Sequence, residues 1–428
     1  MKSVVGLYEN RQAVGGATDP QLHSNRTVIH FKREYLVQLY YTRTAINCTI
    51  QQKQAFCKFL SPNDSGETNS HQTGILISRS AGTLLFGNVN LAEHSILQRE
   101  VQVRWQSNLI TNSCFKWYSS KKELRLTKFG HNFPFQGPDL TGALFILVQK
   151  DTDFYDAFIL ELDEEINEYL DTFGISATET NHLIRTDTVA SNISESSEIQ
   201  KVLMKLGSQF PESAVMSYWA RKIYSAVTNR DDLIINDPDK VLVEWTDEEY
   251  KLFRAVEHRQ YGTAIAKGFA SVEEFISVAN KVLNRRKSRA GKSLEHHLAA
   301  IFDGNHIRYT AQGRTEGHKK PDFIFPSVED YHNPLFAVEN LCTLAAKTTC
   351  KDRWRQVLNE ADRLRDDYKY LCTLQQGISV PQLEEMQAEK VRLVVPKIYI
   401  KTYPASQQQN IWTVQKFVEY VKQMEARA

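Results

Sequence analysis

Lys347-Thr348-Thr349-Cys350-Lys351-Asp352-Arg353-Trp354-Arg355-Gln356-Val357-Leu358-Asn359-Glu360 is the stretch on which the reading of this chain turns. The apolar residues Leu344-Ala345-Ala346 just before it predict a strand that delivers Lys347 at its end. Trp354, Val357, Leu358, Ala361 and Leu364 then predict a helix with one apolar stripe, leaving Arg353, Gln356 and Glu360 together on another face. Upstream, Lys319-Lys320-Pro321-Asp322-Phe323 opens a further strand-like run, Asp322–Phe325. Hydrolysis of a phosphodiester at neutral pH is helped by a divalent cation that polarises the phosphate and lowers the pKa of a bound water. Mg²⁺ keeps several of its waters, so one or two carboxylates from different elements suffice to hold it. A lysine beside them positions the attacking water and offsets the charge growing on the phosphate. Asp322 and Glu360 as metal ligands, Lys347 as the lysine and Mg²⁺ as cofactor meet those needs. The usual nuclease order has an acid two residues before the lysine; here that position is Ala345, so the second acid must come from the helix. Spacing alone also fits a surface turn followed by an exposed lysine.

Outward from this stretch the pattern alternates. Helical stripes occur at Val202/Leu203/Leu206, Phe275/Ala279/Val282/Leu283, Leu294/Leu298/Ile301 and, near the C-terminus, Ile411/Val414/Phe417/Val418/Val421. Strand-like runs Asp322–Phe325, Leu335–Val338, Leu344–Ala346 and Val391–Val395 lie between them, which predicts an α/β domain over 201–428. Residues 175–200, rich in Ser, Thr, Asn and Glu, read as a linker. Before it, over 51–174, short runs such as Ile75-Leu76-Ile77, Thr83–Phe86, Val101–Trp105, Leu124–Leu126 and Ala143–Val148 are separated by turn residues, predicting an all-β barrel or sandwich. Residues 1–50 read as an N-terminal extension of unassigned structure.

The 428 residues suffice for two or three domains, and 42% apolar with 24% charged residues supplies buried cores. The longest apolar run, Ala143–Val148, is too short to cross a bilayer, and mean hydropathy is −0.43, so a membrane protein is not expected. Charge interrupts the N-terminal residues before a secretion signal forms, and the six cysteines include no C-x-x-C pair. A reducing compartment with free thiols is the expectation. The net charge of +1 hides an uneven distribution: residues 1–150 carry 17 Lys+Arg against 9 Asp+Glu, while 151–198 carry 13 acidic residues against Arg185. Residues 281–320 are basic again, with 10 Lys+Arg against Glu295, Asp303 and Glu316. Two basic regions flanking an acidic one suit a protein that binds a polyanion, as they suit three solvated surfaces.

Asn284 through Glu295 (NRRKSRAGKSLE), Lys319-Lys320-Pro321-Asp322-Phe323, the Lys347–Glu360 stretch and Arg392-Leu393-Val394-Val395-Pro396 together closely resemble the C-terminal domain of the EcoRII-type (type IIE) restriction endonucleases, over roughly 245–405. Leu60-Ser61-Pro62-Asn63-Asp64-Ser65-Gly66, His71-Gln72-Thr73-Gly74 and Thr141-Gly142-Ala143-Leu144 resemble the family's N-terminal effector domain more loosely. The resemblance implies a multidomain protein: a B3-like DNA-binding pseudobarrel, then an α/β catalytic domain of the PD-(D/E)xK superfamily. It implies a homodimeric, Mg²⁺-dependent type II endonuclease cutting double-stranded DNA at short sites such as CC(A/T)GG, activated when a second site binds the N-terminal domain. A cognate DNA methyltransferase would protect the same sites without needing to bind this chain. By the same resemblance Asp322 and Glu360 are metal ligands, Lys347 the catalytic lysine and Glu295 a further acid on an earlier helix. Lys351, Asp352 and Arg353 fall where the family reads the outer C·G pairs, a role suited to donors for guanine and an acceptor for cytosine N4. His71, Lys121, Glu123 and Arg125 fall in the effector DNA-contacting loops, where this chain has fewer basic residues and Leu76 stands at an aromatic position.

Two other readings accompany this one: a sequence-specific DNA-binding regulator whose nuclease fold has lost activity, and a structure-selective repair nuclease. Gly82-Thr83 reads as a turn, His296-His297 as solvated or dimer-facing, and Trp354 and Tyr368 as core or interface. Arg285–Arg289 reads either as a phosphate-contacting segment or as a solvated helix face.

Overall fold

The structure is a computed structural model that describes residues 39–68, 74–87, 89–93, 95–186 and 197–427. Helix α1 (39–52) leads into β1 (Gln54–Phe59), β2 (Ile75–Ile77), the short helix α2 (Gly82–Phe86), β3 (Ile96–Trp105), β4 (Ile110–Tyr118) and β5 (Glu123–Thr127). β6 (Leu144–Asp151), β7 (Phe154–Leu160), α3 (Asp163–Phe173) and β8 (His182–Arg185) complete the first half. Its strands form one sheet in the order β2-β5-β4-β3-β7-β6-β1-β8, antiparallel except where β3 runs beside β7.

One face of this sheet encloses Phe56, Trp105, Phe115, Leu124, Phe145, Leu147 and Tyr155. The opposite face of β1, β6 and β7 carries Cys57, Phe59, Leu144, Ile146, Val148, Phe158 and Leu160, which share an apolar cluster with the second half of the chain. That arrangement explains why Ala143–Val148 is apolar at every position: both faces of β6 are buried, so alternation is not required. Each Leu or Ile buried there contributes about 1.5–3 kcal/mol by leaving water, so the two halves are held together by more than polar contacts.

The second half begins with α4 (Ser197–Lys205), α5 (Ser213–Thr228), α6 (Leu233–Asn236) and the long pair α7 (Pro238–Lys267) and α8 (Val272–Gly304). β9 (Thr310–Ala311), β10 (Phe323–Phe325), α9 (Val328–His332), β11 (Cys342–Lys347), β12 (Lys369–Thr373), α10 (Val380–Ala388), β13 (Val391–Val394) and α11 (Val414–Glu425) follow. The sheet order is β13-β12-β11-β10-β9, with β11, β12 and β13 parallel and β9, β10 and β11 antiparallel. α8 crosses this sheet and buries Leu294, Leu298, Ile301 and Phe302 in its core.

Several local expectations differ from this arrangement. Thr83–Phe86 is helical because Leu84, Leu85 and Phe86 fill the inside of the β domain, and a short apolar run does not distinguish strand from buried helix. Part of 175–200 is β8, an edge strand paired with β1, whose polar residues suit an exposed edge. Leu335–Val338 is a turn running into a short 3₁₀ helix (Val338–Asn340), with Leu335 exposed. On α8, Phe275 and Leu283 face outward while the stripe at Leu294 faces the core. The cysteines are all buried and unpaired, as free thiols should be.

Candidate active site and its cover

Asp322 stands immediately before β10, and the register Phe323↔Leu344 sets it beside the end of β11. The Ala346 N–H donates to its Oδ2 at 2.7 Å, and Lys347 Nζ lies 3.5 Å from the same oxygen. Two residues distant in sequence thus meet because neighbouring antiparallel strands carry them. Glu360 joins them from a different element than the spacing predicts. Residues Arg353–Asn359 wind as a 3₁₀ helix, not an α-helix, and Glu360 closes it as the C-cap. Trp354 and Val357 are buried there, so the apolar stripe does its packing even though the pitch is tighter. Burial pushes the Glu360 carboxyl up to about 7; the Lys347 charge pulls it down and the Asp322 charge pushes it up. No hydrogen bond from the described residues reaches that carboxylate.

Glu295, on α8, accepts from Lys292 Nζ at 3.0 Å and from Gln312 Nε2 at 3.0 Å. The same Gln312 nitrogen donates to Asp322 Oδ1 at 2.9 Å. Glu295 is therefore linked to Asp322 through an amide that sequence reasoning missed; an uncharged residue in a loop gives no signal of its own. Hard carboxylate oxygens from Asp322, Glu360 and Glu295 are the donor type Mg²⁺ takes. Among the described residues, however, no three His, Cys, Asp or Glu side chains converge as a ready metal-holding group. Asp322 and Glu360 fit as ligands only if their carboxylates close around the ion.

In the segment Lys351-Asp352-Arg353, Lys351 is buried, Arg353 is half-buried and Asp352 is exposed, and α3 holds the backbone of all three. Asp163, the first residue of α3, is fully buried and accepts from the backbone N–H groups of Lys351 (3.0 Å), Asp352 (2.8 Å) and Arg353 (2.9 Å). Its own N–H donates to Asp352 Oδ1 at 2.7 Å, and burial pushes the Asp352 carboxyl up to about 6. Lys351 Nζ donates to the Asp139 carbonyl at 2.8 Å, and burial lowers its pKa. Asn167 Nδ2 adds a bond to Thr349 at 2.9 Å. Beyond this contact a cavity of about 320 Å³ opens between α3 and the end of β11. Lys287, Lys347, Arg353 and Glu295 line one side; Glu164, Glu168 and Asp171 of α3 line the other. Asp171 is pushed up to about 6 by burial, against the opposing pull of Arg289, Lys287, Arg286 and Arg353.

Arg285–Arg289 is only partly a solvated face: Lys287 and Ser288 are exposed, whereas its arginines are engaged within the fold. Arg286 pairs with Glu257 and donates to the Asp171 carbonyl, and Arg289 lies buried over the Tyr250 ring. His297 is fully buried, 2.9 Å from Glu249 of α7, so it does not face solvent, while half-buried His296 meets Ser213 of α5. Trp354 is core, as expected.

In the β domain, Lys121 is exposed, whereas Arg125 is buried and pairs with Glu123 at 3.0 Å. Of these two residues expected in the effector DNA-contacting loops, only Lys121 stands exposed. His71 lies outside the described residues. Lys58 forms a buried pair with Asp64 at 2.7 Å, and Asp64 also accepts from the Ser61 and Leu76 N–H groups. That network ties Ser61 to Leu76 through one buried carboxylate.

Comparison with known proteins agrees with this division. Residues 253–418 match the family model described as EcoRII C terminal, and residues 49–172 match the model described as restriction endonuclease EcoRII, N-terminal. The chain is 35% identical over 393 residues to the type II restriction enzyme EcoRII of Escherichia coli, covering 85% of this chain and 92% of that protein. It is 27% identical over 142 residues to the type II restriction enzyme SsoII of Shigella sonnei, covering 31% and 45% of the two chains. Among solved structures, metal-depleted Ecl18kI in complex with uncleaved DNA overlays with a TM-score of 0.44 at 19% identity, covering 54% of this chain and 84% of that one. The two matched models, one over the β sheet and one over the α/β sheet, together with identity across nearly the whole relative, show that this chain belongs to the EcoRII family of type II restriction endonucleases, site-specific deoxyribonucleases built from an N-terminal β domain and a C-terminal α/β nuclease domain.

Proposed function

We propose that the chain cuts both strands of DNA at a short site resembling CC(A/T)GG, with Mg²⁺ as cofactor, as a homodimer that a second site bound at the N-terminal domain (51–174) activates. The observation that carries the reading is the 3.5 Å contact of Lys347 with Asp322, beside a Glu360 that senses both charges. Bound by Asp322 and Glu360, Mg²⁺ would supply Lewis-acid polarisation of the scissile phosphate and acidify the attacking water. Lys347, held by Asp322, orients that water toward phosphorus and offsets the charge that builds on the phosphate oxygens. The new P–O bond forms as the bond to O3′ breaks, leaving 5′-phosphate and 3′-hydroxyl ends. Lys351, Asp352 and Arg353 would read the outer C·G pairs, and exposed Lys121 would contact effector DNA together with His71, Glu123 and Arg125 once Arg125 leaves its pair. Activity belongs in a prokaryotic cytoplasm beside a methyltransferase of the same specificity. The described residues include no helix long and apolar enough to cross a membrane.

Support for control by a second site comes from Asp163, whose carboxylate caps the backbone of the base-reading segment, and from the acidic face of α3 opposite Lys287, Lys347 and Arg353. A helix that presents carboxylates where phosphates would lie keeps DNA out until the β domain moves. Because the two halves share an apolar cluster, truncation at 200 would strip buried surface from the catalytic domain. Point substitution is the cleaner test. Purified Lys347→Ala should bind the site in Ca²⁺ and fail to cut it in Mg²⁺; undiminished cutting refutes the assignment.

A further inference from the structure

We propose that Gln312 is a positioning residue of the metal site: its side-chain amide sets the carboxylates of Asp322 and Glu295 around one point in the metal-free enzyme, and that preset spacing raises the affinity for a divalent cation. The inference rests on Asp322 being a metal ligand, as proposed above.

Gln312 directly follows β9 and adopts a left-handed backbone, φ 55°. Such a conformation is unfavourable for a residue with a side chain and persists where surroundings enforce it. Here the Gln312 N–H donates to the Asp322 main-chain carbonyl at 3.0 Å, which fixes the residue against the start of β10. From that anchor the side chain sends Nε2 to Asp322 Oδ1 at 2.9 Å and to Glu295 Oε2 at 3.0 Å. A primary amide has two N–H donors. Both are spent on carboxylates from different elements, the strand β10 region and helix α8.

The partners of Asp322 show why this matters. Oδ2 is engaged by the Ala346 N–H and by Lys347, so Oδ1 is the oxygen left to meet a cation, and Gln312 holds it. Two carboxylates at close range with no donor between them repel and turn apart. A lysine in place of Gln312 would hold them, but its full positive charge would compete with the cation. An uncharged amide keeps both acids close, yet yields to a divalent ion at the cost of one neutral donor. Lys292 keeps Glu295 in place during that exchange.

The test uses the full-length Gln312→Met variant, which keeps side-chain length and removes both donors. Calcium binding is measured by calorimetry, Mg²⁺ dependence by cleavage, and DNA binding by gel shift in EDTA. The expected result is a Ca²⁺ Kd weakened about tenfold, equivalent to about 1.4 kcal/mol. Half-saturating Mg²⁺ should rise by the same factor, with kcat at saturating Mg²⁺ within about twofold of wild type and EDTA binding of DNA unchanged, as loss of preset spacing alone requires. Unaltered Ca²⁺ affinity overturns the inference, as does a loss of kcat that Mg²⁺ cannot restore. If circular dichroism shows Gln312→Met unfolded, Gln312→Asn, whose amide falls short of one partner, replaces it under the same criteria. Asp322→Ala separates the two layers. Abolished Ca²⁺ binding in Asp322→Ala with a silent Gln312→Met removes only the role of Gln312; wild-type Ca²⁺ binding in Asp322→Ala removes the metal-ligand assignment beneath it.

Discussion

Asp163→Asn should release cleavage of DNA that carries a single site. The aspartate is fully buried and each of its oxygens is in use: Oδ1 accepts from the Lys351 N–H at 3.0 Å, Oδ2 from those of Asp352 and Arg353 at 2.8 and 2.9 Å. Hydrogen bonds to a charged acceptor contribute about 1.5–3 kcal/mol each, and a buried donor left without a partner costs about 1–3 kcal/mol. Asparagine keeps one acceptor oxygen and turns an NH₂ group toward at least one of the three N–H donors. The closed arrangement should lose roughly 2–4 kcal/mol, which shifts the closed-to-open ratio by about 30- to 700-fold. The bond from the Asp163 N–H to Asp352 Oδ1 survives the change, so the loop is not simply set adrift. The assay is single-turnover cleavage, with Mg²⁺, of duplexes bearing one or two sites. Single-site cutting should rise at least about tenfold, and the advantage of the two-site substrate should shrink toward unity, since the substitution and the second site act on one equilibrium. A folded Asp163→Asn protein that cuts two-site DNA at the wild-type rate and single-site DNA no faster would refute the reasoning.

Further outcomes follow from the same geometry. Lys347→Ala should lower the single-turnover rate by about 10²–10³ while leaving specific DNA affinity in Ca²⁺ nearly unchanged. Gly142 has φ +82°, and a Cβ added there would lie 2.1 Å from the Gly377 carbonyl across the domain junction. Gly142→Ala should therefore lower Tm and raise single-site cleavage; an unchanged Tm contradicts the contact. With Glu360 pushed up to about 7, above its ordinary 4.5, the folded protein holds an extra proton between those values. In the metal-free protein this group's contribution to stability falls as pH rises through that window, while cation binding, which needs the ionised form, strengthens. The Tm gain on adding Mg²⁺ should grow from about pH 6 to about pH 8, and a pH-independent gain would exclude Glu360 as a ligand.

Sequence reasoning reached the residues that carry formal charge and sit at strand ends. Asp322 and Lys347 are legible because Pro321 and the run Leu344–Ala346 mark where strands start and stop, and adjacent strands bring their ends together. Glu360 is legible as a candidate from its place beside an apolar stripe, although the stripe belongs to a 3₁₀ helix. Periodicity over so short a segment does not fix the pitch. Gln312 was invisible because its role depends on a left-handed backbone and two partners from other elements. Asp163 was hidden differently: it is one of 13 acidic residues in an acidic stretch, and only the fold selects it as the one buried against Lys351–Arg353. The buried His297–Glu249 pair shows the converse, since a histidine doublet in a basic helix reads as surface until α7 packs over it.

The most direct measurement is end-mapping of DNA of known sequence digested with Mg²⁺ by wild-type protein and by Asp322→Ala. Discrete double-strand breaks with 5′-phosphates at one short sequence resembling CC(A/T)GG, absent from the variant and from wild type in EDTA, are the result predicted. Cutting by Asp322→Ala at the same positions would contradict the account.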